Sequence, residues 1–125
     1  MLGDEELVAF VGVGDLERAH RFYGEVLGLA RIDSSEYAHV YMAGGAQLRV
    51  TRVPKPAAAP YTVLGWRVDD IAAAVRELVA AGVEPNRYQG MDQDELGIWQ
   101  APAGSRVVWF SDPDGNTLSL QQPPA

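Results

Sequence analysis

Val13-Gly14-Asp15-Leu16-Glu17-Arg18-Ala19 and Val68-Asp69-Asp70-Ile71-Ala72-Ala73-Ala74 decide the fold, because they are one passage met twice. Asp15 aligns with Asp70 at an offset of 55, Leu16 with Ile71 and Ala19 with Ala74. Each aspartate stands where a short carboxylate accepts the free amide hydrogens of a helix's first turn. Gly28 and Gly82 stand where a left-handed residue ends such a helix. In between, Leu16, Ala19, Tyr23 and Val26 recur at three- and four-residue steps, as do Ile71, Ala74 or Val75, and Leu78. That gives one apolar stripe per helix.

Outward from the helices, strands are expected on both sides. Leu7–Val13 and Val63–Val68 are nearly unbroken apolar runs, which predicts strands covered on both faces. After the first helix, strands are expected at Leu29–Asp33, Ala38–Met42 and Gln47–Arg52. After the second they are expected at Val83–Tyr88, Arg106–Ser111 and Thr117–Gln121, with Gly97–Gln100 a candidate short strand. Gly44-Gly45 and Ser111-Asp112-Pro113-Asp114-Gly115-Asn116 are turn signals between strands. Each half reads β-α-β-β-β. Pro54 to Pro60, with three prolines in seven residues, denies itself helix or central strand and reads as a connector inside one fold. The expected organisation is one domain over residues 1–125: a first module over about 7–53, a linker over 54–60 and a second module over about 61–122.

Composition excludes several classes. The chain has 125 residues, 47% apolar and 22% charged, as expected of a globular domain. It has no cysteine, hence no disulfide framework and no thiolate metal site. The acidic Met1–Glu6 segment does not read as a signal peptide, and no apolar run reaches spanning length, so a cytoplasmic protein is expected. A formal charge of −7 argues against nucleic acid and anionic membrane surfaces as partners.

The residues Asp15-Leu16-Glu17-Arg18-Ala19, Phe22-Tyr23, Val26-Leu27-Gly28-Leu29 and Trp109-Phe110-Ser111-Asp112-Pro113-Asp114-Gly115-Asn116 resemble the vicinal oxygen chelate superfamily of glyoxalases, bleomycin-resistance proteins, fosfomycin-resistance enzymes and extradiol dioxygenases. The resemblance runs from about Leu7 to Gln121. It implies an α+β fold of two tandem βαβββ modules whose mixed sheets curve into a cup, with helices on the outer face. Enzymes of that family hold one divalent metal in the cup, mostly with His, Gln or Glu. By the family's spacing from the helix-capping aspartates and the Asp-Pro-Asp-Gly-Asn turn, the ligand positions fall on Val8, Arg49, Val63 and Ser119. Valine has no lone pair, arginine stays protonated and a neutral hydroxyl is weak alone, so no metal and no cofactor are expected.

Strand alternation from Val8 and Val63 places Phe10, Val63, Trp109 and Ser119 on the cup face. His39, Tyr41 and Arg49 are expected to join them, giving an apolar and aromatic concavity with few polar groups. Trp99, in the acidic segment Gly90–Trp99, is a candidate cover over a ligand. Asp94 and Glu95 in that segment are the candidate catalytic carboxylates should the domain be an enzyme. No nucleophile elbow, phosphate loop or histidine ligand pair is present. The resulting expectation is a metal-independent, small-molecule-binding homodimer of the bleomycin-resistance type. The alternatives are a glyoxalase-like lyase or isomerase working without the metal, and a partner domain with an empty cup.

Overall fold

The computed structural model describes residues 1–125. Its elements are β1 (Val8–Val13), α1 (Leu16–His20) continuing as a π-helical stretch (Arg21–Val26), β2 (Ala30–Ser34), β3 (Ala38–Ala43), β4 (Ala46–Arg52), β5 (Thr62–Arg67), α2 (Ile71–Ala80), β6 (Trp99–Gln100), β7 (Arg106–Ser111) and β8 (Thr117–Gln122). The fold is α+β, two tandem βαβββ modules, each with one four-stranded mixed sheet. The strand orders are β1-β4-β3-β2 and β5-β8-β7-β6, with the first strand parallel to the last and the remaining pairs antiparallel. Contacts divide the chain into compact units Met1–Ala57 and Ala58–Ala125. No helix is long and apolar enough to cross a membrane.

In the first unit, Asp15 caps α1 by accepting the Arg18 amide hydrogen at 2.9 Å. Leu16, Ala19, Phe22 and Tyr23 are buried. Adjacent Phe22 and Tyr23 both turn inward because the helix widens there: the Leu27 N–H reaches back five residues to Phe22 O at 2.8 Å. Leu29 N–H then closes on Tyr23 O, one residue wider than the usual glycine-ended cap, with Gly28 at φ 73°.

Strand β1 corrects one expectation. Val11 and Val13 are buried, but Val8 is 38% and Phe10 63% exposed. The strand is covered on one face only, because α1 packs on a single side of the sheet.

In the second unit, Asp70 caps α2 through the Ala73 amide, and Gln122 Oε1 takes the Ile71 amide at 2.9 Å. Ile71 and Val75 face Val108, Phe110, Leu118 and Leu120 in an apolar core. The turn between β7 and β8 is organised by buried Asp112, whose Oδ1 accepts the Asp114 and Asn116 amides and whose Oδ2 accepts Asn116 Nδ2.

Residues 83–88, expected to form a strand, are not one. Pro85 has no N–H to offer a ladder, and the segment meets β7 through one backbone bond, Asn86 N–H to Trp109 O at 2.7 Å. The sheet edge is instead the two-residue β6, where Gly97–Gln100 was the candidate short strand.

Candidate functional site

Register sorts the side chains of each sheet by face. In the first sheet, Phe10 pairs with Arg49 and Val8 with Gln47 across β1 and β4. Across β3 and β4, Val40 stands opposite Arg49, Met42 opposite Gln47, Tyr41 opposite Leu48 and His39 opposite Val50. Phe10, Arg49, Val40 and Met42 therefore share the face away from α1. The expectation that His39 and Tyr41 share a face with Arg49 does not hold. Both lie on the helix side, where Tyr41 packs on Tyr23 with ring centroids 6.4 Å apart and both contact His20. Arg49 is half-buried and makes no ion pair.

In the second sheet, Trp109 stands opposite Ser119, Val107 opposite Gln121 and Trp99 opposite Val107, all on the face away from α2. Ser119 is buried and pairs with Gly65 on β5. Val63 falls at a bulge, where the pairing jumps from Thr62–Thr117 to Leu64–Leu118. The Trp99 and Trp109 rings lie 6.1 Å apart at a 37° tilt. Tyr88 meets Trp109 edge-on at 5.6 Å. Two half-buried tryptophans and the exposed Tyr88 thus lie in contact on one open sheet face, with π-surface still available.

Tyr88 and its supports escaped the sequence reading. Asn86 Nδ2 donates to Tyr88 Oη at 3.3 Å and to Ser111 Oγ at 3.0 Å. Gln93 accepts the Tyr88 amide and donates to the carbonyls of Asn86 and Gly97. An aromatic next to a proline-interrupted segment carried no periodic signal, because the segment follows no ladder.

Asp94 and Glu95 belong to the same loop. Asp94 Oδ1 accepts the amides of Leu96 and Ile98, and its Oδ2 lies 3.9 Å from Arg106. The backbone carbonyls of Asp94 and Glu95 accept from the Arg87 guanidinium. The Asp94 carboxylate holds a turn, and the Glu95 side chain is exposed.

No cluster of three or more His, Asp or Glu side chains has metal-holding geometry. The four positions that family spacing assigns to a metal carry Val8, Arg49, Val63 and Ser119, a set with two absent donors, one cation and one neutral hydroxyl. These residues do not fit a catalytic divalent ion.

Two βαβββ units with first and last strands parallel define the class, and comparison with known families agrees. The chain belongs to the glyoxalase/bleomycin resistance protein/dioxygenase superfamily, whose family model matches residues 7–120. Among solved structures it is similar to a superfamily member from Sphaerobacter thermophilus, at 25% identity and TM-score 0.74, covering 98% of this chain and 99% of that one. The bleomycin resistance determinant encoded on the transposon Tn5 follows at 19% identity and TM-score 0.75, covering 97% and 99%. A lactoylglutathione lyase from Agrobacterium tumefaciens matches at 16% and 0.74, covering 95% and 93%. A search of curated proteins finds no match.

Proposed function

We propose that this chain is a metal-independent binding protein for a flat, aromatic small molecule, held on the open face of the second sheet. The observation that carries the reading is the contact of Trp99, Trp109 and Tyr88 on that face. Aromatic rings bury large area at low conformational cost, and such pairs add about 0.5–1.5 kcal/mol beyond area when they stack. The donor set at Val8, Arg49, Val63 and Ser119 supports binding without a metal. Likeness to the Tn5 bleomycin resistance determinant makes bleomycin-type compounds candidate ligands, while likeness to the lactoylglutathione lyase keeps a lyase as the second reading. Exposed Val8 and Phe10 on β1 support assembly as a homodimer through that strand's uncovered face.

Titration with bleomycin and a panel of planar aromatic natural products, read by tryptophan fluorescence, tests the proposal. Trp109→Ala and Trp99→Ala should each weaken the best binder by about tenfold or more. A ligand that binds both variants with full affinity would place the site elsewhere. Stoichiometric Ni, Zn, Fe or Mn retained through dialysis would overturn metal independence.

A further inference from the structure

The open face of the second sheet is not aromatic throughout. Along β7 and β8, Ser111, Thr117, Ser119 and Gln121 point the same way as Trp109. Three of these are engaged within the protein. Asn86 Nδ2 donates to Ser111 Oγ at 3.0 Å, Thr117 Oγ1 donates to the Ala59 carbonyl at 2.8 Å, and Gln121 Nε2 donates to Ser105 Oγ at 3.4 Å. Ser119 differs. The residue is only 9% exposed, yet its Oγ makes no hydrogen bond within the protein. The oxygen is not sealed in the interior either. It opens on the outer face of the sheet, with Trp109 on one side and Gly65 on the other.

Gly65 accounts for the opening. A β-carbon at this position would stand 3.1 Å from Ser119 Oγ. Gly65 is not among the glycines with positive φ, so its backbone accepts other residues, and what the glycine supplies is space. The row Trp109, Ser119, Gly65 therefore falls from an indole to a hydroxymethyl to bare backbone. Directly opposed residues in a sheet stand about 4.5–5.5 Å apart at Cβ. A ring laid on Trp109 thus brings an oxygen on its own edge to Ser119 and extends over Gly65. A hydroxyl so deeply buried has given up most of its hydration. A ligand that meets it with a polar atom restores the lost bond, and one that covers it with carbon does not.

We propose that Ser119 selects the ligand of this face: a flat fused-ring compound with a hydroxyl or carbonyl oxygen on its edge, hydrogen-bonded to Ser119 Oγ while the ring stacks on Trp109. The assignment rests on the aromatic-face reading above and adds the polar group that its ligand must carry. A serine hydroxyl donates to either kind of oxygen.

Proton–nitrogen spectra of the three tryptophan indoles, recorded on the whole chain during titration with β-naphthol and with naphthalene, separate the two claims. Both compounds should move the Trp99 and Trp109 signals. β-Naphthol should bind about fivefold more tightly, the worth of one net hydrogen bond. Ser119→Ala should erase that preference. Gly65→Ala, which fills the space beside Oγ, should erase it too, and it carries the test if Ser119→Ala does not fold. Equal affinities in the native chain, or a preference that survives in either variant, would overturn the Ser119 assignment and leave the aromatic face standing. If neither compound moves Trp99 or Trp109, the aromatic face itself fails, and the Ser119 assignment falls with it.

Discussion

The two modules share one strand order and differ in what their central strands turn towards the helix. In β3 the inward residues are His39 and Tyr41; at the matching places in β7 they are Val108 and Phe110. The second module packs a regular ten-residue α2 on an apolar floor. The first packs a helix that widens to π geometry and lays His20 over a hydrogen-bonded floor. The same topology therefore tolerates either a dry core or a polar one, provided the polar groups find each other. The open faces show the opposite contrast. The second module gathers Trp99, Trp109 and Tyr88, while the first exposes Phe10 beside Arg49.

The largest expected effect lies in the dry core. Phe110→Ala should cost about 3–5 kcal/mol in denaturant unfolding, because a fully buried ring is lost and the sheet cannot close the gap. A loss below about 1 kcal/mol would mean that the second module's core is far looser than its packing shows.

A smaller effect is expected in the polar core, and its pattern is more telling. Tyr41→Phe removes the group between the two histidines and should cost about 1–3 kcal/mol, the penalty of leaving buried partners unmet. Tyr41→Phe combined with His39→Val gives the first module the apolar floor of the second. The double variant should be more stable than the single one, since removing both partners costs less than stranding one. If the costs simply add, the hydroxyl and the imidazole are not energetically linked.

The contrast between modules also marks what the sequence could tell. The position of strand β1, though not its one-sided covering, the capping aspartates, the glycine helix ends and the Asp112 turn were legible because each rests on a local rule: an apolar run, capping or turn chemistry. The edge of the second sheet was not. Val83–Tyr88 stands where the module order calls for a strand, but Pro85 withholds a donor and the ladder forms further on, at Trp99. The facing of His39 and Tyr41 was misread because β3 is central and nearly buried on both sides, so its composition carries no parity. The signal was present in the turn. A two-residue connection at Gly44-Gly45 sets Ala43 opposite Ala46, and counting back in step puts Val40, not Tyr41, opposite Arg49. The π widening left only the adjacency of Phe22 and Tyr23 as a trace. Tyr88 had no signal of its own, since its position depends on Asn86 and Gln93 within an irregular loop.

The smallest expected effect is a pH dependence that belongs to the first module alone. His39 is buried, and desolvation, followed by the charge of Arg31 on β2, lowers its pKa below the ordinary 6.5; Glu17 on α1 opposes this and His20 adds to it. The unfolded chain therefore takes up a proton at His39 more readily than the folded one. Where the unfolded state binds more protons, stability rises with pH. The contribution is complete above about pH 6.5 and is lost as pH falls from there towards the lowered folded value. The second module has no histidine, so its core contributes no such slope. Urea midpoints measured between neutral and mildly acidic pH should decline for the native chain. The decline should be shallower in His39→Gln, which keeps polarity without titrating in that range. Equal slopes in the two proteins would show that the His39 ring is as free to take up a proton in the fold as in water.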